Sequence, residues 1–553
     1  MNRTLLGAAV AAALVATGVP APASARPGAE AWRDVVVTGS DAGSAARAVR
    51  AAGGQVLTSL PIVRGVAARL PQGSSLPAAW LVTPQRELTV AAAGTPEQTG
   101  AATTVRQMLG LPAGGDEGRS VTVAVVDTGV ADVPDLAGKV SARVDITGTG
   151  AGDGYGHGTF MAGLIAASGA GSDGAHRGVA PGAAIVDVKV ADADGRTDLT
   201  TVLGGLQWVS EHRDIDVVNL SLSSQSPLPY QLDPLTQALE SLWHRGVTVV
   251  VPSGNDGPDA GTVTSPGNDP LLLTTGGLDA GGTAGRADDV VGAWSGRGPT
   301  WQGDAKPDLV AAGGRVVSLS SPGSIVERGN PQARVGAGYI RGSGTSMAAA
   351  VTSGVVAGVL AVQPRLRPDA VKNLLVRTAY PSAGLTRELG GGAGGLDAPA
   401  ALAAAPRWHA GPQQKQYDAD TATVGRDAKR WAAFAKAVVD GDEQAAARAW
   451  TRLTPASRDW AARAWAQLDP AARAWAARAW AARAWADADG EWAARAWAAR
   501  AWAARAWASD DWAARAWADA GWTARAWAAD DWAARAWASD RWNARAWAWM
   551  PGS

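Results

Sequence analysis

The sequence contains no cysteine. That excludes a thiol nucleophile, a cysteine-ligated zinc site and a disulfide framework. It leaves the compartment open, because a chain of this length can build its own core without covalent staples. An excess of charge is also missing. Fifty Lys and Arg against 51 Asp and Glu leave a formal net charge of −1, which removes any electrostatic case for nucleic acid as a partner. Histidine is scarce: His157, His176, His212, His244 and His409 are all there are. Long apolar runs are absent beyond the N-terminus, where no segment reaches the roughly 18 residues of a membrane span.

What is present begins with a leader. Arg3 is followed by the short apolar stretch Leu5 to Ala16, then Pro20 to Pro22 and the small-residue site Ala23-Ser24-Ala25. This is the layout of a secretory signal peptide over residues 1–25, and predicts an exported mature protein. The 553 residues then divide by composition, as a chain of this length is expected to. Residues 30–95 hold a Val-rich strand (Asp34 to Gly39), a helix (Ala42 to Ala52) and two further strands (Gln55 to Leu60, Gly65 to Leu70), a small α+β unit placed as a pro-segment. Residues 96–114 are rich in Gly, Thr and Ala and read as a linker cut during maturation.

Residues 115–404 alternate near-continuous apolar runs with amphipathic stretches. The runs Val121 to Val126, Ala184 to Val190, Val217 to Leu222 and Val247 to Val251 suit parallel strands buried on both faces. Thr200 to Glu211, Leu235 to Arg245 and Thr345 to Leu360 suit helices. The fold class is therefore α/β, a parallel central sheet with helices on both faces.

Four motifs carry chemistry. Asp127, in Val125-Val126-Asp127-Thr128-Gly129, ends a buried strand before a tight turn, where open α/β sheets gather functional groups. His157, in Gly156-His157-Gly158-Thr159, is the one histidine in a glycine-flanked turn at a helix start. Ser346, in Gly342-Ser343-Gly344-Thr345-Ser346-Met347-Ala348, opens a long Ala/Val helix, whose N-terminal N–H groups favour developing negative charge. Asn255, in Ser253-Gly254-Asn255, follows a strand and can donate to an oxyanion. Each alone reads as readily as a turn aspartate, a surface histidine or an N-cap serine. Their combination is what points to acyl transfer.

In the order Asp, His, Ser, these motifs resemble the subtilisin (subtilase) family of serine peptidases over roughly residues 115–400. The resemblance implies a three-layer subtilisin-like fold and a secreted serine endopeptidase. Asp127 orients the base, His157 is general base and then general acid, and Ser346 is the nucleophile. Asn255 and the Ser346 amide form the oxyanion hole. It further implies that Ser221, Leu222 and Ser223 pair with an extended substrate, that Pro252, Ser253 and Gly254 form the opposite wall of the specificity pocket, and that Thr264 lies in its floor. The 30–95 unit resembles the family's inhibitory pro-segment, with Ile62 to Ala67 as the best local match. No cofactor is implied for the chemistry; a structural calcium ion is allowed, with Asp135 matching one ligand. Departures are Ala348-Ala349-Ala350 where a proline is usual, Ser223 and Ser253 where smaller residues are usual, Ala311-Ala312-Gly313 for Ala-Pro-Gly, and a short Gly171 to Arg177 stretch where relatives bind calcium. The implied partners are protein or peptide substrates and the chain's own pro-segment.

The C-terminal part differs in kind. After a 405–449 linker, residues 450–553 repeat Trp-Ala-Ala-Arg-Ala, with Trp every five residues from Trp492 to Trp547. At roughly 100° per residue, a five-residue period winds Trp around a helix and gives it no apolar face. The readings for this tail are a surface appendage, a binding array for cell envelope, glycan or polymeric substrate, or a substrate for proteolysis or for a Trp-modifying enzyme. The alternative for the whole chain is a non-catalytic binding protein that displays the Trp array on a subtilisin-like scaffold.

Overall fold

A computed structural model describes residues 32–90, 103–409, 433, 437 and 443–453, apart from a few loop positions at 78–79, 225, 227–229, 231–232, 282 and 301–303. The expected leader and nearly all of the Trp-repeat tail lie outside the described residues.

The N-terminal unit contains β1 (Trp32–Thr38), α1 (Ala42–Ala51), β2 (Gln55–Leu60), β3 (Gly65–Pro71) and β4 (Leu81–Pro84), in one antiparallel sheet ordered β2-β3-β1-β4. Period-two alternation gives this sheet two apolar faces. Val35, Val37 and Val66 pack with Val49 of α1, whereas Val36 and Ala67 join the core of the following domain. Aspartate starts the helix, with the Asp41 carboxylate accepting the Ser44 N–H at 2.7 Å. The segment then continues through β5 (Glu87–Val90).

Residues 103–114 are not a bare linker. Thr104 caps the short helix α2 (Val105–Met108), and Leu109 and Leu111 enter the main core. Arg106 is buried, bonded to both oxygens of Glu117 (2.9 Å each) and to the carbonyls of Pro112, Gly178 and Val179.

The main domain follows with β6 (Thr122–Asp127), β7 (Val140–Asp145), α3 (His157–Ala166), β8 (Ala184–Lys189), β9 (Arg196–Asp198), α4 (Leu199–Glu211), β10 (Val217–Leu220), β11 (Leu222–Ser223), α5 (Pro234–His244), β12 (Thr248–Pro252) and β13 (Leu273–Asp279). It closes with β14 (Val290–Val291), β15 (Leu309–Ala312), β16 (Val316–Leu319), α6 (Ile325–Gly329), β17 (Tyr339–Gly342), α7 (Thr345–Val362), α8 (Pro368–Thr378) and α9 (Ala398–Ala404). Strands β7, β8, β6, β10, β12 and β13 lie in that order, all parallel, with β15 parallel and β14 antiparallel to β13. Chain order reverses at β6: β8 and β7 lie to one side and β10, β12 and β13 to the other. Ligand crevices in open α/β sheets form at such a switch point. The apolar runs expected to be strands are strands within a residue or two, except that Val217 to Leu222 breaks at Ser221, and Leu222–Ser223 pairs elsewhere. Helix α7 is the one described helix long and apolar enough to cross a membrane, a length the count of uninterrupted apolar runs passes over, and it is buried in the core.

The Arg106 cluster predicts a stability effect. Arg106→Ala strands a carboxylate and three carbonyls, so unfolding free energy should fall by about 3–5 kcal/mol, as when one partner of a buried pair is removed. Denaturant unfolding in a Ser346→Ala background measures it; an unchanged midpoint would show that these contacts do not hold the domain's entry segment.

Candidate active site

Asp127 is the last residue of β6, hydrogen-bonded between β8 and β10 and closed off from solvent. Its Oδ1 accepts the Thr128 N–H at 2.8 Å. Both carboxylate oxygens face His157 Nδ1, at 2.8 and 3.0 Å. A carboxylate can only accept, so Nδ1 carries the proton and Nε2 presents its lone pair. That Nε2 is buried and makes no hydrogen bond among the described residues. Two glycines permit the approach. A Cβ on Gly158 would lie 2.1 Å from the Gly129 carbonyl, and one on Gly129, at φ 106°, would lie 2.4 Å from the Gly152 carbonyl.

Ser346 is the second residue of α7, and its hydroxyl donates to the Ser221 carbonyl at 3.4 Å. Helices α3 and α7 pack together, and a crevice beside their starts is lined by Gly156, His157, Phe160, Gly342 and Met347. Beneath Ser346 runs a buried polar string: Ser353 Oγ to Asn219 Oδ1 at 3.0 Å, then Asn219 Nδ2 to Ser221 Oγ at 3.0 Å. Asn255 lies beyond β12. Its Oδ1 accepts both the N–H and the hydroxyl of Thr345, each at 3.0 Å. These donors demand an acceptor, so the amide NH₂ points away from the helix.

Asp153 was missed by the sequence reading. It is buried, accepting Thr128 Oγ1 (2.8 Å) and Gly156 N–H (2.6 Å) at Oδ1, and Thr159 N–H (2.8 Å) and Oγ1 (2.7 Å) at Oδ2. It thus ties the turn after Asp127 to the helix that begins at His157. Burial pushes its carboxyl up from the ordinary value, while these donors pull it down. The available signal was an aspartate three residues before Gly156, with Thr159 spaced to return a hydroxyl.

The residues expected to wall the substrate pocket fall in two places. Leu222 and Ser223 of β11 pair antiparallel with β5, Leu222 opposite Val90 and Ser223 opposite Thr89. The other edge of β5 pairs with β9, so the N-terminal unit supplies the middle strand of a three-stranded sheet. In the second place, the expected floor residue Thr264 donates its N–H to the Ser253 carbonyl at 3.1 Å, and Gly254 lies against the Thr264 side chain. Pro252 ends β12.

Asp135 does not fit a calcium ion. Its Oδ2 accepts the Tyr339 hydroxyl at 2.8 Å, the Ser168 hydroxyl and the Gly171 N–H also donate to its carboxylate, and no cluster of three acidic or imidazole groups occurs among the described residues. Calcium prefers six to eight oxygen ligands, several of them carboxylates.

The sequence model of the subtilase family matches residues 118–392. Among curated proteins, serine protease AprX of Bacillus subtilis is 42% identical over 47% of this chain and 61% of its own length. Subtilisin BL of Lederbergia lenta is 35% identical over 50% of this chain and 88% of its own. The solved structure of fervidolysin from Fervidobacterium pennivorans, described as a keratinolytic enzyme related to subtilisin, matches with a TM-score of 0.55 at 25% identity, over 70% of this chain and 62% of that one. That likeness reaches beyond residues 118–392, since it covers well over half of the chain.

Asp187 generates a prediction about pH. Its Oδ2 accepts the Val130 N–H (3.1 Å) and Arg143 Nη1 (3.0 Å), but Oδ1 is buried without a partner among the described residues. Burial pushes the carboxyl up to about 7, against the pull of Arg143. The folded chain thus keeps a proton that the unfolded chain releases near its ordinary value of 3.8. This contribution to stability is full below about pH 4 and is lost as pH rises to about 7. Denaturant midpoints across that range should fall less steeply in Asp187→Asn than in the parent; identical slopes would exclude the effect.

Proposed function

The chain belongs to the subtilase family, and on that premise we propose that it is a secreted serine endopeptidase, made as an inhibited precursor that processes itself. The observation that carries the reading is the buried contact of Asp127 with His157 Nδ1, which leaves the buried Nε2 without a hydrogen bond among the described residues.

In this reading Ser346 Oγ attacks the substrate carbonyl while His157 Nε2 takes its proton. The tetrahedral oxyanion accepts hydrogen bonds from Asn255 Nδ2 and the Ser346 N–H. His157 then gives the proton to the leaving amine, and the acyl group stays on Ser346. Water, deprotonated by His157, releases the acid and restores the hydroxyl. Asp127 holds the tautomer and stabilises the imidazolium throughout.

The N-terminal unit acts as the inhibitor. Strand β5 fills the groove between β11 and β9 as an extended substrate would, and points from Val90 toward Ser221, whose carbonyl receives the Ser346 hydroxyl. The unit docks on α4 and α5 through Ile62, whose N–H donates to Gln207 Oε1 at 2.8 Å. The processing cut then falls after Val90 and before the packed Thr104–Glu117 segment. Residues 1–25 act as the export leader, and the mature enzyme works outside the cell on protein or peptide substrates.

Labelling with a serine-directed fluorophosphonate tests the reading. The expected result is one adduct, on Ser346, in a protein whose N-terminus lies between residues 91 and 104. A folded, pro-segment-free protein that takes no label would overturn it in favour of a binding scaffold. Ser346→Ala should accumulate as unprocessed precursor, and normally matured protein from that variant made alone would exclude self-cleavage. Asn255→Ala should lower kcat by about 10²–10³, or about 2.7–4 kcal/mol, with little change in KM. That figure comes from subtilisin, a relative in the same family, and is carried over from it.

A further inference from the structure

The deepest polar contact between the N-terminal unit and the main domain lies one residue before β5. Arg86 is almost wholly enclosed. Its Nη2 donates to both oxygens of Asp233, at 2.7 and 2.8 Å, and its Nε donates to Ser224 Oγ at 3.2 Å. Asp233 is 1% exposed and belongs wholly to the main domain. It begins α5, where its Oδ1 accepts the Leu235 N–H at 3.1 Å and its Oδ2 accepts Ser265 Oγ at 2.9 Å. Ser224 and Ser265 are themselves joined by a pair of backbone hydrogen bonds, 2.9 and 3.0 Å. The receptor is therefore built without the arginine: a carboxylate pinned by a backbone N–H and a hydroxyl, beside a second hydroxyl on a closed backbone ring.

The register places this receptor on the path of a bound peptide. The Arg86 carbonyl accepts the Leu199 N–H at 3.0 Å, Leu88 is buried opposite Thr197, and Val90 lies opposite Leu222. Ser224, which holds the guanidinium, directly follows β11. Any chain that replaces β5 in the same groove carries the residue equivalent to Arg86 past Asp233. Once the N-terminal unit has gone, the Asp233 carboxylate there lacks its cation, and a guanidinium is the group that serves Asp233 through one nitrogen and Ser224 through another.

We infer that Asp233, with Ser224 and Ser265, is a guanidinium subsite of the mature enzyme, which selects extended peptides carrying arginine two residues before the apolar residue that occupies the Leu88 position. This rests on the endopeptidase reading above. The same subsite first holds the pro-segment through Arg86 and later reads substrates.

Quenched fluorescent peptides reproducing residues 82–97 test it against enzyme matured from the full chain and quantified by fluorophosphonate labelling. Arginine at the Arg86 position should give kcat/KM about tenfold to a hundredfold above the glutamine peptide, mostly through KM, as expected of charge-assisted hydrogen bonds. Lysine, which has no second nitrogen for Ser224, should fall between. In Asp233→Asn, which keeps an N-cap side chain on α5, the Arg-to-Gln ratio should collapse toward one. The comparison within the parent enzyme needs no variant, so a misfolded Asp233→Asn would leave the test intact. A labelled, active enzyme that cleaves the arginine and glutamine peptides equally would overturn the subsite alone. A folded, matured chain that takes no label and cleaves neither would overturn the endopeptidase reading and the subsite with it.

Discussion

A carboxylate and an imidazole, both out of reach of water, have to be held at bonding distance by the protein around them. Neither Asp127 nor His157 gains from solvent, so their alignment depends on where β6 ends and α3 begins. Those two points are joined by close backbone contacts that only glycine permits at 129 and 158. Asp153 completes the joint, because its four acceptor bonds span the Asp127 turn and the first turn of α3. An isolated buried carboxylate would be expensive; satisfied on every side, it becomes a rigid strut. The alignment of the imidazole is thus a property of a small polar lattice, of which the Asp127–His157 pair is one edge.

The rest of the site is arranged around that edge by sheet topology. Chain order reverses at β6, the place where open α/β sheets form their crevices, and the neighbours β10 and β12 deliver Ser221 and Asn255 to the same end. Helix α7 closes the arrangement from below. Thr345, its first residue, captures the carbonyl end of Asn255, and Ser346 lies over the Ser221 carbonyl. Orienting Asn255 and presenting Ser346 are therefore one event, the docking of a single helix start. The β11 edge obeys the same economy. Leu222–Ser223 leaves the main sheet as a short free edge, and an extended peptide adds to such an edge through main-chain bonds. Strand β5 shows the addition already made.

Much of this was legible in the sequence, for identifiable reasons. Asp127, His157, Ser346 and Asn255 each follow a strand or open a helix with glycine beside them, and a local signal survives without coordinates. The parallel sheet was legible because strands buried on both faces cannot hide their apolar runs. Strand β5 was not, because Glu87-Leu88-Thr89-Val90 is four residues long and its alternation is that of any exposed stretch; its order comes from the two edges it joins. The packing of residues 103–114 was hidden by their Gly, Pro and Thr content, although Thr104 and Gln107 form a capping box. Asp135 went the other way: a family-like position suggested a metal ligand, but a tyrosine 204 residues away occupies its oxygen. Contacts at such separation leave no mark in local sequence, and Arg86 with Asp233, 147 residues apart, is of that kind.

That pair also bears on how the N-terminal unit is held in one register on the main domain. Apolar area, as offered by Val36, Ile62 and Leu88, is non-directional and would accept many sequences in the groove. A buried ion pair adds little net stability over a well-packed apolar contact, because both charges must be dehydrated. Its value lies in the penalty for the wrong partner: a chain that offers no cation opposite Asp233 leaves a carboxylate enclosed and unpaired. Sites that bury polar groups reject analogues far more strongly than apolar pockets do. Arg86 therefore contributes mainly register. It sets which residue of β5 meets Leu222, and so which part of the chain is carried toward Ser221 and Ser346.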